Sequence, residues 1–147
     1  LTFSLPSEDF IGNAVSKDIT GPNDKMKYET TVKMVTLDSY AEKYGITKCD
    51  FIKIDVEGAE YFVFEGARQF IANCRPIIQA EYNSYWMGQV KVTFKDFVKF
   101  FQELDYVVGL EKSNSFEIVD NPIDCVISDD IVDMLFIPKE KLKYLLR

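Results

Sequence analysis

The stretch Phe51-Ile52-Lys53-Ile54-Asp55-Val56-Glu57-Gly58-Ala59-Glu60 decides the fold. Its first six residues form a compact β-branched run with one lysine that can reach outward, the pattern of a strand largely covered on both faces. Glycine follows at once. Beyond it Ala59, Phe62, Val63, Ala67, Phe70 and Ile71 recur at helical spacing, with Gly66 as a bend or close packing point. Pro76-Ile77-Ile78-Gln79-Ala80-Glu81-Tyr82 then reads as a second strand, with proline at its first position, where no ladder donor is needed. Thr93-x-x-Asp96 opens a further helix as a capping box with Asp in place of Glu, and Phe94, Phe97, Val98, Phe101 and Leu104 line one face of it. Tyr106 to Leu110 is a third strand. Strand, helix, strand, helix, strand in this order predicts an α/β fold with right-handed crossovers, a parallel sheet and helices on its faces.

Upstream, Thr2 to Leu5 reads as a short strand broken by Pro6-Ser7-Glu8-Asp9. The polar stretch from Gly12 to Glu29, with Gly21-Pro22-Asn23-Asp24 at its centre, reads as a long loop. Val32-Lys33-Met34-Val35-Thr36 alternates as a strand that would pair with the first. Ser39-x-x-Glu42 is a capping-box pattern, placing a short helix over Tyr40 to Tyr44 that Gly45 ends. Downstream, Phe116 to Val119 and Asp133 to Pro138 read as strands joined by an acidic loop, and Lys139 to Leu146 as a terminal helix. The last strand is expected to be antiparallel on an otherwise mostly parallel sheet.

A chain of 147 residues with 47% hydrophobic content is enough for one buried core and one domain. A net charge of −7 removes the electrostatic footprint that attracts phosphate backbones, so neither nucleic acid nor an anionic membrane is an expected partner. No apolar run reaches the roughly 18 to 20 residues of a membrane span, and Leu1-Thr2-Phe3-Ser4-Leu5-Pro6 lacks the basic region of a signal peptide. A cytoplasmic protein is the expectation. The first residue, Leu1, implies processing or a numbering that starts inside a longer polypeptide. Three cysteines, odd in number and without a C-x-x-C pair, suit neither a disulfide framework nor a zinc knuckle and are expected as buried thiols. The absence of histidine excludes Ser-His-Asp and Cys-His catalysis and a His-based zinc site. Acid and base chemistry therefore falls to carboxylates, lysines or tyrosines.

Ligands of open α/β sheets bind beyond the carboxyl ends of the strands. That rule selects Asp55, Glu57 and Glu60 after the first strand of the pair, and Glu81, Tyr82 and Asn83 at the end of the second. If the two strands are neighbours, about 4.8 Å apart, Asp55 and Glu81 face one crevice. One of two close carboxylates would then have a raised pKa and act as a base, or the pair would hold a hard cation. A plainer reading has Asp55 satisfying backbone donors at the helix start and Glu81 as a solvated strand end. Tyr85 and Trp86, just beyond, fit either an apolar wall of the site or the core.

The ordered blocks Thr36-Leu37-Asp38-Ser39-Tyr40, Asp50 to Glu60, Glu65-Gly66-Ala67 and Pro76 to Glu81 closely resemble the FkbM family of methyltransferases, over about Val32 to Tyr82. The resemblance implies a Rossmann-like class I sheet and the use of S-adenosylmethionine to methylate a hydroxyl on a small molecule, sugar, lipid or natural product. It places Asp55 beside the transferred methyl, as both a cofactor contact and the first candidate for the base. Glu57 and Glu81 follow as catalytic candidates and Tyr82 and Asn83 as substrate contacts; no residue is assigned to a metal. The family's glycine-rich turn, D-x-G-x-N-x-G, and the acid that holds the ribose are not found. Gly12-Asn13 and Gly21-Pro22 follow no adequate parallel strand and open no helix.

Residues 1–147 are thus expected to form the C-terminal half of a class I domain, one partial domain without the glycine-rich cofactor-binding strands and inactive alone. Such a half would leave the strand from Phe51 as an exposed edge. The chain would then form homo-oligomers, aggregate, or cover the edge with its own Leu1 to Thr36 segment. Two other readings compete: a non-catalytic remnant that binds a partner through that edge, and a metal-dependent Toprim-like phosphotransfer domain. The latter draws on Val56-Glu57-Gly58 after a strand and on Asp129-Asp130, but lacks the D-x-D motif.

Overall fold

The computed structural model describes residues 2–5, 15–16, 28–31, 33–112, 115–119, 122 and 131–145, with the backbone alone for 2–5, 15–16, 28–31 and 145. Three short strands, β1 (Thr2–Leu5), β2 (Val15–Ser16) and β3 (Tyr28–Thr31), form an antiparallel sheet in the order β2-β1-β3. The helix α1 (Leu37–Tyr44) leads to β4 (Phe51–Ile54). The helices α2 (Glu60–Glu65) and α3 (Arg68–Cys74) then lead to β5 (Ile77–Asn83). After α4 (Ser84–Gln89) and α5 (Phe94–Gln102) come β6 (Tyr106–Lys112), β7 (Ser115–Ile118) and β8 (Ile131–Pro138). A 3₁₀ turn (Lys139–Lys141) and α6 (Leu142–Leu145) follow.

The second sheet has five strands in the order β4-β5-β8-β6-β7. The α/β class holds; the mostly parallel sheet does not. Only β4 and β5 pair in parallel, while β5–β8, β8–β6 and β6–β7 are antiparallel. The cause is where β8 goes. The strands β4, β5 and β6 run in one direction as the strand and helix alternation requires, but β8 returns the other way and inserts between β5 and β6.

One face of this sheet carries the core. Along β5, Ile78, Ala80 and Tyr82 are buried, whereas Ile77, Gln79, Glu81 and Asn83 are half-buried, the period-two alternation of a sheet with one covered face. Phe64 of α2 sits at the centre of the core, its ring against those of Phe97, Phe100, Phe101 and Phe136. Each such ring contributes about 1.5–3 kcal/mol by leaving water. The Thr93 capping box that starts α5 is present as expected, and it sets the phase that turns Phe94, Phe97, Val98 and Phe101 inward.

β4 is not covered on both faces. Phe51 is 52% exposed and Lys53 is exposed, and among the described residues no strand pairs with the outer side of β4. The first three strands make their own sheet and do not extend it.

Three local expectations also shift. The strand pairing with β1 is β3, four residues upstream of Val32–Thr36, in the register Thr2↔Thr31 to Leu5↔Tyr28. Residues 33–36 form no strand, and the alternating Met34 and Val35 are exposed, so no apolar surface holds that face. Within the polar stretch Gly12–Glu29 lie β2 and the start of β3; its other residues are outside those described. The helix start moves from Ser39 to Thr36, whose hydroxyl accepts the Ser39 N–H at 3.2 Å, while Gly45 ends α1 in the left-handed conformation at φ 65°. Gly66 separates α2 from α3 as the bend predicts. Cys49 and Cys74 are half-buried rather than buried: Cys49 lies in the connection before β4, and Cys74 is the last residue of α3, beside the open cavity that α3 shares with α1. Cys125 and the acidic loop lie outside the described residues.

Candidate active site

Parallel pairing of Ile54 with Ala80 brings the carboxyl ends of β4 and β5 side by side, so Asp55 and Glu81 leave adjacent strands at the same end of the sheet. Asp55 Oδ2 lies 3.0 Å from Lys53 Nζ in an exposed pair, a contact that contributes little to stability. Glu81 is opposite Asp133 of β8 in the register. Asp133 thereby joins the acidic end of the sheet, and no local signal foretold it, since it depends on β8 inserting beside β5.

Burial and this concentration of negative charge act together on the acids of this end. Partial burial pushes the Glu81 carboxyl above the usual glutamate range, and Asp55 and Asp133 add to the shift, while a hydrogen bond from the Asn83 side chain and the Lys53 charge oppose it. Glu57 is likewise raised, first by burial and then by Asp55 and Glu81.

The turn after β4 has an unusual backbone: Glu57 adopts φ 51° and Gly58 φ 96°. A non-glycine residue held there stores roughly 1–3 kcal/mol of strain. The residue that holds this turn is Glu60, 2% exposed, whose Oε1 accepts the Val56 N–H and whose Oε2 accepts the Gly58 N–H, each at 3.0 Å. Burial raises its pKa, and three backbone N–H groups, its own first and then those of Val56 and Gly58, oppose that shift. The backbone donors of the turn before α2 are thus taken by Glu60, and no side chain caps the helix start itself.

Tyr82 and Asn83 part company. Tyr82 is 8% exposed and faces the core, with its ring 5.5 Å from that of Phe94 and 5.4 Å from that of Phe97. Strand alternation turns it away from the face that carries Glu81, and its ring packs in the core. Asn83 is on the Glu81 face, and its Oδ1 caps α4 by accepting the Trp86 N–H at 3.3 Å. Tyr85 is exposed and Trp86 half-buried against the core, their rings 4.8 Å apart edge to face.

The remaining blocks are architectural. Asp38 donates its backbone N–H to Gly66 O at 3.0 Å. Its carboxylate accepts the N–H groups of Gln69 at 3.1 Å and Phe70 at 2.7 Å. An open cavity of about 610 Å³ between α1 and α3 is lined by Asp38, Glu42, Phe70 and Cys74 among others and contains none of Asp55, Glu57 or Glu81. Among the described residues no group of three or more Cys, Asp or Glu side chains is placed to hold a metal ion. Nor is any helix long and apolar enough to cross a membrane.

Asp55 and Glu81 lie at the carboxyl ends of two adjacent parallel strands, each followed by helices, the end of an open α/β sheet at which ligands bind. The Methyltransferase FkbM domain matches residues 6–108, and the chain belongs to the FkbM methyltransferase family. The match extends the resemblance in both directions, taking in the segment around β2 and β3, both helices before β6 and the start of β6 itself. No curated protein and no solved structure matches the chain.

Methyltransferases of this family use S-adenosylmethionine in general. The described residues do not fit the anchoring of the cofactor: among them, no strand on the outer side of β4 runs through a glycine turn into a helix.

Proposed function

We propose that the chain is the acceptor-side part of an S-adenosylmethionine-dependent O-methyltransferase, acting on a hydroxyl of a sugar, lipid or other small molecule in the cytoplasm. The observation that carries the reading is the pairing of β4 with β5, which sets Asp55 and Glu81 at one end of the sheet within a chain of the FkbM family. The cofactor supplies an electrophilic methyl group. Everything else required is positioning and removal of the hydroxyl proton, and a carboxylate base contributes about 10²- to 10⁴-fold.

Asp55 is the exposed carboxylate just beyond the carboxyl end of β4 and is the first candidate to accept that proton or orient the hydroxyl. Glu57 and Glu81, whose pKa values are raised, match a proton acceptor working nearer to neutral pH. Residues 1–147 act as one partial domain, and the cofactor's glycine-rich anchor lies outside the described set. Membership in the family displaces the Toprim-like alternative. The non-catalytic, partner-binding reading keeps one observation in its favour, the unpaired outer side of β4 among the described residues.

Incubation with S-adenosylmethionine labelled at the methyl group and a panel of glycan, lipid and small-molecule hydroxyl acceptors tests the reaction class, once the chain is supplied with the cofactor-anchoring strands of a relative. Calorimetry on the chain alone tests the division of labour. The expected dissociation constant is weaker than about 10 μM, a binding free energy less favourable than about −7 kcal/mol. Tighter binding would place the full cradle within these residues.

A further inference from the structure

Glu60 begins α2, where an acidic side chain ordinarily remains in water and interacts with the helix dipole at a distance. Here it is 2% exposed, and both carboxylate oxygens turn back onto the preceding turn, one on the Val56 N–H and the other on the Gly58 N–H. A carboxylate has only acceptors, so both amides must converge on it. Their convergence, closed by the Ala59 N–H to Val56 O bond of 3.4 Å, requires the left-handed steps at Glu57 and Gly58. We propose that Glu60 is the positioning residue of the site: its buried carboxylate fixes the backbone of the turn Asp55–Gly58 and thereby sets where Asp55 and Glu57 stand beside Glu81. The inference rests on the reading of Asp55 and Glu57 as site residues.

The stereochemistry distinguishes this role from mere filling of space. Glutamine has the same shape but one acceptor oxygen and one NH₂ group, so it serves one of the two amides and sets a donor against the other. A buried donor left without a partner is costly, so the turn in Glu60→Gln must open on that side. Of the ionisable groups, Glu81 on β5 is the one whose charge reaches Glu60, and it repels. The turn amides are the counterweight that keeps the carboxylate where it is.

Amide hydrogen exchange and carboxyl titration by NMR on the full chain test the role. In the wild type, Val56 and Gly58 are expected to exchange slowly although neither lies in a strand or helix, and their amide shifts are expected to follow the titration of the Glu60 carboxyl. In Glu60→Gln, one or both amides exchange at least about tenfold faster, with Ile78 and Ala80 unchanged, and the titration of Glu57 falls back towards the ordinary glutamate range. A structural role confined to overall stability would not move the Glu57 titration alone. Fast exchange at both amides in the wild type, or a Glu60→Gln protein with unaltered amides and unaltered Glu57, overturns the proposal. Should the variant not fold, the wild-type titration decides, since Val56 and Gly58 shifts that ignore the Glu60 carboxyl overturn it equally. None of these readouts depends on methyl transfer, so failure of the site reading, seen as full methyl transfer in both Asp55→Asn and Glu57→Gln, is separable from failure of the positioning role.

Discussion

The Asp38 carboxylate accepts the backbone N–H of Phe70 at 2.7 Å and so ties the first turn of α1 to the first turn of α3, 32 residues on. Its other oxygen takes the Gln69 N–H at 3.1 Å. The N-cap residue of α3, Ala67, has no side chain that can cap, so Asp38 caps that helix from a distance. Asp38→Ala is expected to lower stability by about 1 kcal/mol, seen as a lower urea midpoint with an unchanged slope. Asp38→Asn should retain part of it through its one carbonyl oxygen. A midpoint unmoved in Asp38→Ala would show that water replaces the cap.

Gly66 is held in the same joint. A Cβ there would come within 3.2 Å of Thr36 Cγ2 and 3.3 Å of Thr36 Cβ, while its φ of −77° is open to any residue. Space, not conformation, sets the cost of a side chain there, because the Thr36 side chain must give by a few tenths of an ångström. Gly66→Ala is expected to cost about 1 kcal/mol. Thr36→Ser, which removes Cγ2 and keeps the capping hydroxyl, should recover part of that loss in the double variant. Strictly additive thermal shifts in the two single variants and the double would mean the two residues do not press on each other.

These two residues show what was legible in the sequence and what was not. Local chemistry was readable: Gly45 as a left-handed C-cap, Thr93 with Asp96 as a capping box, and the alternation of β5 all follow from neighbouring residues. The pairing of β4 with β5, and with it the meeting of Asp55 and Glu81, followed from the β-α-β order. What escaped depends on contacts distant in sequence. Thr36 and Asp38 look like a strand end and a helix start, yet their partners are Gly66 and Phe70. The alternation of Val32–Thr36 carries no information without an apolar surface to bury it. Asp133 reaches the site only because β8 slips between β5 and β6. Which side of β5 is covered, and so that Tyr82 faces the core while Glu81 and Asn83 do not, depends on the helices packed against it. Glu60 carried the one readable clue, a third acid in Asp55-Val56-Glu57-Gly58-Ala59-Glu60, but its burial was not.

Arg75 predicts an acid limb of the stability profile. Its guanidinium donates to both oxygens of Glu140, at 2.9 and 2.8 Å, and stacks over the Tyr106 ring. The hydrogen bond from Arg75 holds the Glu140 carboxyl down at about 2, against an ordinary value of 4.5. A depressed carboxyl stabilises the fold above its ordinary pKa and loses that contribution as pH falls towards the depressed one. The stability difference between wild type and Glu140→Gln should therefore be constant above about pH 4.5 and disappear towards about pH 2. Glu140 is mostly exposed, so the difference is expected below about 1 kcal/mol. Urea midpoints at several pH values measure it, and a difference that persists undiminished at the acid end would assign it to packing on Tyr106 instead.

Asp55→Asn tests the proposed chemistry. The amide keeps the shape and cannot take a proton, and the residue is exposed beside Lys53, so the fold should be unaffected. Methyl transfer by the cofactor-competent protein is expected to fall by about 10²- to 10⁴-fold, with the thermal midpoint unchanged. Turnover within about tenfold of wild type would move the base to Glu57 or Glu81, whose raised pKa values make them the next variants to measure.

The outer side of β4 makes the last prediction. The Ile77 N–H donates to Asp50 O at 2.9 Å, so in a parallel ladder Ile52 and Ile54 turn their polar backbone groups to β5 while Phe51, Lys53 and Asp55 turn theirs outward. An outward row of this kind, flanked by the exposed Phe51 ring, is a template for another strand. A second copy fits it. Antiparallel pairing about a twofold axis at Ile54 sets Lys53 opposite Asp55 of the partner subunit and the reverse, both as hydrogen-bonded pairs, so each lysine exchanges its present carboxylate for an identical one. Opposite charges placed directly across a ladder stabilise it by about 0.2–1 kcal/mol. With four residues in β4 the contact is small and the dimer weak. Sedimentation velocity is expected to show a concentration-dependent dimer that added salt weakens. Lys53→Pro, which removes an outward N–H and leaves the bonds to β5, should return the chain to monomer. A monomer throughout the micromolar range, or a dimer indifferent to Lys53→Pro, would assign the β4 edge to some other strand.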